Sequence, residues 1–184
     1  MIDNSPDFKE IKVDENSPLF DTKNMFYKEF PSDFRQIRYF TLLVVQKAPP
    51  SIKELNLLEQ QISEIIKNAV KHGNKNDPNK KVKVWYYFSE HEARIIVEDE
   101  GEGFQEIDKW NEFNRKRIEA FQNQDFMELA NYVSYRTARS DDNDGGNALF
   151  AALEYWNAGY VFSEKRNKVG AKKIFPKKAI GVDA

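Results

Sequence analysis

The hydrophobic pattern of the chain switches between two periods, and each period predicts a different kind of element. Alternating runs and runs of β-branched and aromatic residues predict five strands, at residues 25–30, 82–88, 93–97, 160–162 and 171–175. The second and third strands are separated by a short turn, which predicts a β-hairpin. Apolar residues at helical spacing predict helices over residues 33–46, 51–72 and 147–156, with a shorter helical pattern within 113–129.

The longest predicted helix carries start and stop signals and a polar ridge. Ser51 and Glu54 have the spacing of a capping box, and Gly73 suits the left-handed position after the last turn. Glu64 and Asn68 are four residues apart, so their side chains lie one above the other beside the apolar stripe. A base and a neutral oxygen ligand placed there could serve a metal–nucleotide site; the alternative is a solvated helix face.

A second polar motif follows the predicted hairpin. Asp99, Gly101 and Gly103 form Asp-x-Gly-x-Gly at the end of a strand. An aspartate fixed by a strand can accept a hydrogen bond from an exocyclic amine such as N6 of adenine. The glycines let the backbone turn sharply and let a flat ring approach. The alternative is an ordinary acidic turn.

A long polar region, residues 105–144, separates this turn from the next motif and is predicted to be a lid. Its basic residues could meet phosphates on closure or belong to a solvated helical face: Arg115, Lys116, Arg117, Arg136 and Arg139. Gly145 and Gly146 then lead into the helix that begins at Asn147. Free backbone N–H groups and the helix dipole at such a start favour a phosphate.

Composition limits the classes of function. A chain of 184 residues with 40% hydrophobic residues suits one folded domain. The formal net charge of −2 gives no general electrostatic case for binding nucleic acid or an anionic membrane. The absence of cysteine excludes disulfides, thiolate catalysis and cysteine–zinc sites, and two histidines argue against a histidine-rich metal site.

The N-terminal sequence is acidic and polar, unlike a signal peptide, and no apolar run approaches the ~20 residues of a membrane span. We therefore expect a cytoplasmic protein. Residues 1–24 mix polar residues with scattered apolar ones, which predicts a flexible N-terminal arm. Such an arm could be a disordered tail or a segment that contacts a partner.

Three motifs in one order resemble those of the GHKL (Bergerat-fold) ATPases: Glu64-x3-Asn68-Ala69, Asp99-x-Gly101-x-Gly103 and Gly145-Gly146-x-Ala148-Leu149. Residues from about 25 to 177 resemble one branch, the small bacterial anti-sigma factor serine/threonine kinases. Members of that branch share a Phe-Pro-Ser helix start and an Asn-Ala-x-x-His-Gly motif, matched here by Phe30-Pro31-Ser32 and by Asn68-Ala69-Val70-Lys71-His72-Gly73.

The resemblance implies a fold and a site. The fold is a two-layer α/β (α+β) sandwich with a mixed, mainly antiparallel sheet, helices on one face, and a histidine-kinase-like ATPase domain over residues 25–184. Glu64 would be the catalytic base, Asn68 the Mg²⁺ ligand and Asp99 the carboxylate that binds adenine. His72 and Asn74 would have supporting or capping roles. The cofactor-binding residues implied are Asn68, His72, Asp99, Gly101, Gly103, Gly145, Gly146, Asn147, Ala148 and Leu149.

The implied function is an ATP- and Mg²⁺-dependent protein serine/threonine kinase. It would phosphorylate an anti-anti-sigma (antagonist) protein, sequester a sigma factor or another regulator, and form a homodimer through its N-terminal strand and helix. It would have no direct nucleic-acid or membrane partner.

The second glycine motif departs from the family pattern, because Ala148 adds a methyl group where the branch usually has glycine. A second hypothesis is therefore a non-catalytic, nucleotide-gated protein-binding module of the same fold. A third is a structural domain that binds no nucleotide.

Overall fold

The computed structural model describes residues 10–130 and 147–177, and within them six strands form one sheet. The strands are β1 (Lys12–Val13), β2 (Phe26–Pro31), β3 (Lys81–Phe88), β4 (Glu92–Glu98), β5 (Tyr160–Phe162) and β6 (Lys168–Ile174). Their order across the sheet is β1-β5-β6-β4-β3-β2; the β1–β5 pair is parallel and the other four pairs are antiparallel. The predicted mixed, mainly antiparallel sheet and the β3–β4 hairpin are confirmed.

The described residues contain five α-helices: α1 (Ile37–Val45), α2 (Leu55–Asn68), α3 (Ile107–Gln122), α4 (Phe126–Ala130) and α5 (Asn147–Tyr155). Side chains of α1, α2, α3 and α5 share one buried cluster with one face of the sheet. On β3 every second residue is buried and the residues between are more exposed, because successive side chains point to opposite faces. The predicted two-layer sandwich with helices on one face is confirmed.

The N-terminal segment differs from its prediction as a flexible arm over residues 1–24. From residue 10 onward it lies against the fold, and β1 adds a strand to the edge of the sheet. Ile11 is buried, and its backbone N–H and C=O both bond to the side-chain amide of Asn111, at 2.8 and 3.0 Å. Pro18–Phe20 forms a 3-10 turn over the sheet face opposite the helices. The contacts that hold this segment come from residues far along the chain, so the local pattern did not predict them.

The long helix starts later than predicted. α2 begins at Leu55, and Glu54 precedes it without a side-chain capping bond. The Ser51 hydroxyl instead lies 3.0 Å from the Glu90 carboxylate, in the turn of the β3–β4 hairpin. The predicted capping box is therefore wrong, because Ser51 has a partner outside the helix.

The end of this helix also differs. After Asn68 the chain makes one π-helical turn, Ala69–Gly73, and Gly73 is not left-handed. The left-handed residues are Lys75 and Asn76, with φ of 53° and 58°. Gly73 is required for another reason, which is the close approach described below.

The helical pattern expected within residues 113–129 corresponds to α3 and α4. The buried residues of α3 are Ile107, Trp110, Asn114 and Ala120, and Phe113 is partly buried against the same core. Phe121 is 70% exposed. The rest of the predicted lid, residues 131–144, lies outside the described residues.

Among residues 10–130 and 147–177, no helix has the length and apolar character needed to cross a membrane.

Candidate functional site

The polar ridge of α2 lies at the border of the core. The helix turns an apolar stripe inward, formed by Leu58, Ile62, Ile65 and Ile66. Glu64 is half-buried, with 32% of its side chain exposed, and Asn68 is exposed. The Lys67 ammonium lies 3.9 Å from Glu64 Oε1. The apolar stripe fixes the helix against the core, and the ridge therefore presents a carboxylate and an amide at the surface.

The π-helical turn after Asn68 brings the first two motifs together. At Gly73 an added Cβ would overlap the carboxyl group of Asp99, and at Gly101 it would overlap the carbonyl oxygen of Gly73. Both positions must be glycine for the end of this turn to reach the end of β4. The sequence predicted glycines for close approach at Gly101; it did not predict that Gly73 serves the same contact. The structure thus joins the Asn68 motif to the Asp99 motif.

Asp99 is held by hydrogen bonds on its main chain and its side chain. Its N–H donates to the carbonyl of Asn167 at 2.9 Å, and its carbonyl accepts from Asn167 Nδ2 at 2.9 Å. Its Oδ1 accepts from the N–H of Gly101 at 2.8 Å. A carboxylate fixed in this way is suited to accept a hydrogen bond from the amine of a flat heterocycle.

Asn74 is fully buried and ties the site to the sheet. Its Nδ2 donates to Ser32 Oγ at 2.8 Å and to the carbonyl of Lys81 at 3.0 Å. Its Oδ1 accepts from the N–H of Glu100 at 2.7 Å. The side chain therefore links the end of β2, the start of β3 and the turn after β4. We call Gly73, Asn74, Asp99 and Gly101 the Asp99 corner.

The chain leaves this corner through Gly103, whose φ of +93° favours glycine. An added Cβ there would also overlap the carbonyl oxygen of Lys165. The next residue, Phe104, donates its N–H to the carbonyl of Arg166 at 2.8 Å. The turn after β4 is thus fastened to the β5–β6 hairpin, a contact that the sequence pattern did not indicate.

The second glycine motif falls partly outside the described residues. Gly145 and Gly146 lie outside them, as does the side chain of Asn147 at the start of α5. Ala148 and Leu149 are half-buried, and Leu149 packs against the core. The phosphate-binding roles expected for this motif stay predictions.

His72 is half-buried in the π-helical turn, within reach of the corner by sequence. Its ligand role and its supporting role stay predictions. Asn74 was expected to have a supporting or capping role, whereas Asn167 was not predicted to take part in the site. Asn167 is 68 positions from Asp99 in the chain, and no local signal would have found it.

The described residues fit a magnesium ion that arrives with a nucleotide. Among them, no cluster of three or more histidine, aspartate or glutamate side chains could hold a metal by itself. Mg²⁺ bound to nucleotide phosphates needs only one or two protein oxygens, since water and phosphate supply the rest. The exposed amide of Asn68 offers one such oxygen.

Comparison with known proteins points in the same direction. A family model described as "Histidine kinase-like ATPase domain" matches residues 30–151, more than half of the chain. The anti-sigma F factor of Shouchella clausii (strain KSM-K16) is 32% identical over 65 residues, which are 35% of this chain and 44% of that protein. The anti-sigma F factor of Oceanobacillus iheyensis is 31% identical over 68 residues, 37% of this chain and 47% of that protein.

The anti-sigma F factor of Geobacillus thermodenitrificans (strain NG80-2) aligns with a longer part of the chain. The two sequences are 29% identical over 103 residues, which are 55% of this chain and 70% of that protein. The chain thus spans about half the length of the first two curated relatives and more of the third.

Proposed function

The chain belongs to the histidine kinase-like ATPase domain family, and on that premise we propose that it is an ATP-dependent protein serine/threonine kinase of the anti-sigma factor type. It would phosphorylate an anti-anti-sigma protein and sequester a sigma factor or a similar regulator. The observation that carries the proposal is the close approach of Gly73, five residues after Asn68, to the carboxyl group of Asp99, which supports one site formed from both motifs. The similarity to anti-sigma F factors supports the choice of branch.

The side chains divide the work of phosphoryl transfer. Asp99 would accept a hydrogen bond from the adenine amine and so fix the base at the corner. Asn68 would hold Mg²⁺, which neutralises phosphate charge when it is bound. Glu64 would accept the proton of the serine hydroxyl as that oxygen attacks, because it is the carboxylate on the same ridge as Asn68. The protein contributes little covalent chemistry to phosphoryl transfer. Its main contributions are to position the reacting groups and to stabilise their charge.

The proposal is tested by transfer of radiolabelled phosphate from ATP to an anti-anti-sigma protein. Glu64→Gln should lower the transfer rate about 100-fold or more, the usual contribution of a general base, with Mg-ATP affinity unchanged. Glu59→Gln is the matched control, since Glu59 is on the same helix roughly 140° away from Glu64. If wild type and Glu64→Gln label the anti-anti-sigma protein equally, Glu64 is not the base.

Ala148 favours a second candidate, a binding module in which the nucleotide gates a partner without phosphate transfer. Its methyl group occupies the second position of α5, in the motif expected to face phosphate. For this candidate Asn68→Ala should abolish nucleotide-dependent partner binding while no transfer is detected with wild type. Ala148→Gly distinguishes the kinase from the binding module, because only in a kinase would this substitution raise the rate of phosphate transfer.

A homodimer through β2 and α1 is also proposed. β2 is the last strand at one edge of the sheet. Large apolar side chains of this edge, of α1 and of the turn between them are exposed: Phe26 at 48%, Tyr27 at 46%, Phe34 at 54%, Tyr39 at 59% and Leu42 at 44%. Among the described residues no strand lies beyond β2, and exposed apolar side chains beside such an edge suit a protein contact. Sedimentation of wild type and of Tyr39→Ser would test it.

A further inference from the structure

The hydrogen-bond ladder between β4 and β6 continues past the last strand residues and includes Asp99. Glu98 is paired with Lys168 in the antiparallel register, so the next pair is Asp99 with Asn167. The N–H of Asp99 donates to the carbonyl of Asn167 at 2.9 Å, as in a strand. The return bond comes from a side chain, because Asn167 Nδ2 donates to the carbonyl of Asp99 at 2.9 Å. An asparagine amide thus takes the place of a main-chain donor.

The turn after β4 is anchored to the same β5–β6 hairpin at its other end. Phe104 donates its N–H to the carbonyl of Arg166 at 2.8 Å. At Gly103 an added Cβ would overlap the carbonyl oxygen of Lys165. Arg166 is itself left-handed, with φ of 62°, so the hairpin bends sharply where it meets this turn. Both ends of the turn after β4 are therefore held by neighbouring residues of the hairpin.

These anchors act on the Asp99 carboxylate through its main chain. The two bonds to Asn167 fix the peptide groups on either side of the Asp99 Cα, and hence the direction in which the side chain leaves the backbone. The carboxylate itself is held by the bond from the N–H of Gly101 to Oδ1, at 2.8 Å. Without the Asn167 donor, the peptide group after Asp99 would lose its anchor, and the carboxylate would lose its fixed direction.

We propose that Asn167 is a positioning residue that determines selectivity for the adenine amine, because it fixes the main chain of Asp99 and so aims the carboxylate at the base. The inference rests on the proposed function, in which Asp99 accepts a hydrogen bond from that amine. Hydrogen bonds weaken steeply when their geometry departs from the optimum. A carboxylate with no fixed direction should still let a purine bind, but it should no longer favour one that carries the amine.

The test compares Mg-ATP with the magnesium complex of purine riboside triphosphate, whose base lacks the amino group. Wild type should bind Mg-ATP at least about tenfold more tightly, as a hydrogen bond to a charged group provides. Asn167→Ala should lose most of this preference: the affinity for Mg-ATP should fall about 5- to 10-fold, and the affinity for the analogue should change by less than about twofold. Calorimetry measures both affinities.

Asn157 provides a matched control at the other end of β6. Its Nδ2 donates to the carbonyl of Ile174 at 3.0 Å, and its Oδ1 accepts from the N–H of the same residue at 2.8 Å. Asn157→Ala therefore removes bonds of the same kind, away from the turn after β4, and should keep the preference for Mg-ATP. If Asn157→Ala loses the preference as Asn167→Ala does, or if Asn167→Ala weakens the binding of both nucleotides equally, the proposal is overturned.

A second measurement needs no nucleotide. Hydrogen exchange followed by NMR reports on the N–H of Gly101, which donates to Asp99 Oδ1. In Asn167→Ala this N–H should exchange about tenfold faster, because the carboxylate that accepts from it is no longer fixed. In Asn157→Ala its rate should equal that of wild type. An unchanged rate in Asn167→Ala would overturn the link between Asn167 and the carboxylate.

The outcomes also separate this inference from the proposed kinase activity. If Asn167→Ala loses a preference that wild type shows, but wild type transfers no phosphate to an anti-anti-sigma protein, the kinase function fails and the positioning role stands. If wild type transfers phosphate and Asn167→Ala keeps the full preference for Mg-ATP, the positioning role fails and the kinase function stands. Equal affinity of wild type for the two nucleotides would overturn the roles of both Asp99 and Asn167.

Discussion

The Asp99 corner and the α3–α4 segment, which lies within the predicted lid, are built in opposite ways. In the corner, two glycines are required by overlap with neighbouring atoms, and one fully buried amide makes three hydrogen bonds. In the α3–α4 segment, three large apolar side chains point into solvent: Phe121 at 70%, Phe126 at 71% and Met127 at 87% exposed.

The difference separates two kinds of constraint. Residue identities in the corner are fixed by contacts within this chain, so a substitution there should change folding or nucleotide binding. The exposed apolar residues of α3 and α4 gain little from folding of the chain alone. Only a contact with another molecule, such as a partner protein, would constrain which residues occupy these positions.

The largest effect is expected at the buried amide of the corner. Asn74→Ala removes three hydrogen bonds made by a fully buried amide, and each contributes about 0.5–1.5 kcal/mol. We expect the free energy of unfolding in urea to fall by about 2–4 kcal/mol. The control is Asn123→Ala, at an exposed residue after α3, which should change it by less than about 0.5 kcal/mol. If both variants changed the free energy of unfolding equally, the two regions would not differ in how tightly their residues are constrained.

A smaller effect, seen in binding rather than in folding, is expected for the carboxylate. Asp99→Asn should weaken Mg-ATP binding by about 1.5–3 kcal/mol, the value of a hydrogen bond to a charged group. Asp77→Asn is a close control, because Asp77 Oδ1 accepts from the N–H two residues on at 3.0 Å, as Asp99 Oδ1 does at 2.8 Å. Calorimetry should show full affinity for Asp77→Asn. Unchanged affinity for Asp99→Asn would mean that the corner does not hold the base.

The parts of the fold that sequence predicted are those with local causes. The alternation along β3 and β4 gave the hairpin, and the apolar stripe gave α2. The parts that it missed depend on distant partners. β1 pairs with β5 about 150 residues away, and Ser51 bonds across to Glu90 instead of capping the helix.

The site divides in the same way. The ridge of Glu64 and Asn68 follows from helix spacing, and the Asp-x-Gly-x-Gly turn from its glycines. That Gly73 serves the contact with Asp99 rather than a left-handed cap required knowledge of what packs against it. Asn167, which bonds both main-chain groups of Asp99, carries no motif that would identify it.

The smallest effect on stability is expected in the α3–α4 segment. Phe126→Ser and Met127→Ser remove side chains that are 71% and 87% exposed, so each should change the free energy of unfolding by no more than about 0.5 kcal/mol. The measurement is urea unfolding at two protein concentrations tenfold apart. A loss above about 1 kcal/mol at the higher concentration, absent at the lower, would show that a second copy covers these residues in solution. A loss of unfolding free energy at both concentrations would show that these side chains are buried within one chain. The α3–α4 segment would then not differ from the Asp99 corner in this respect.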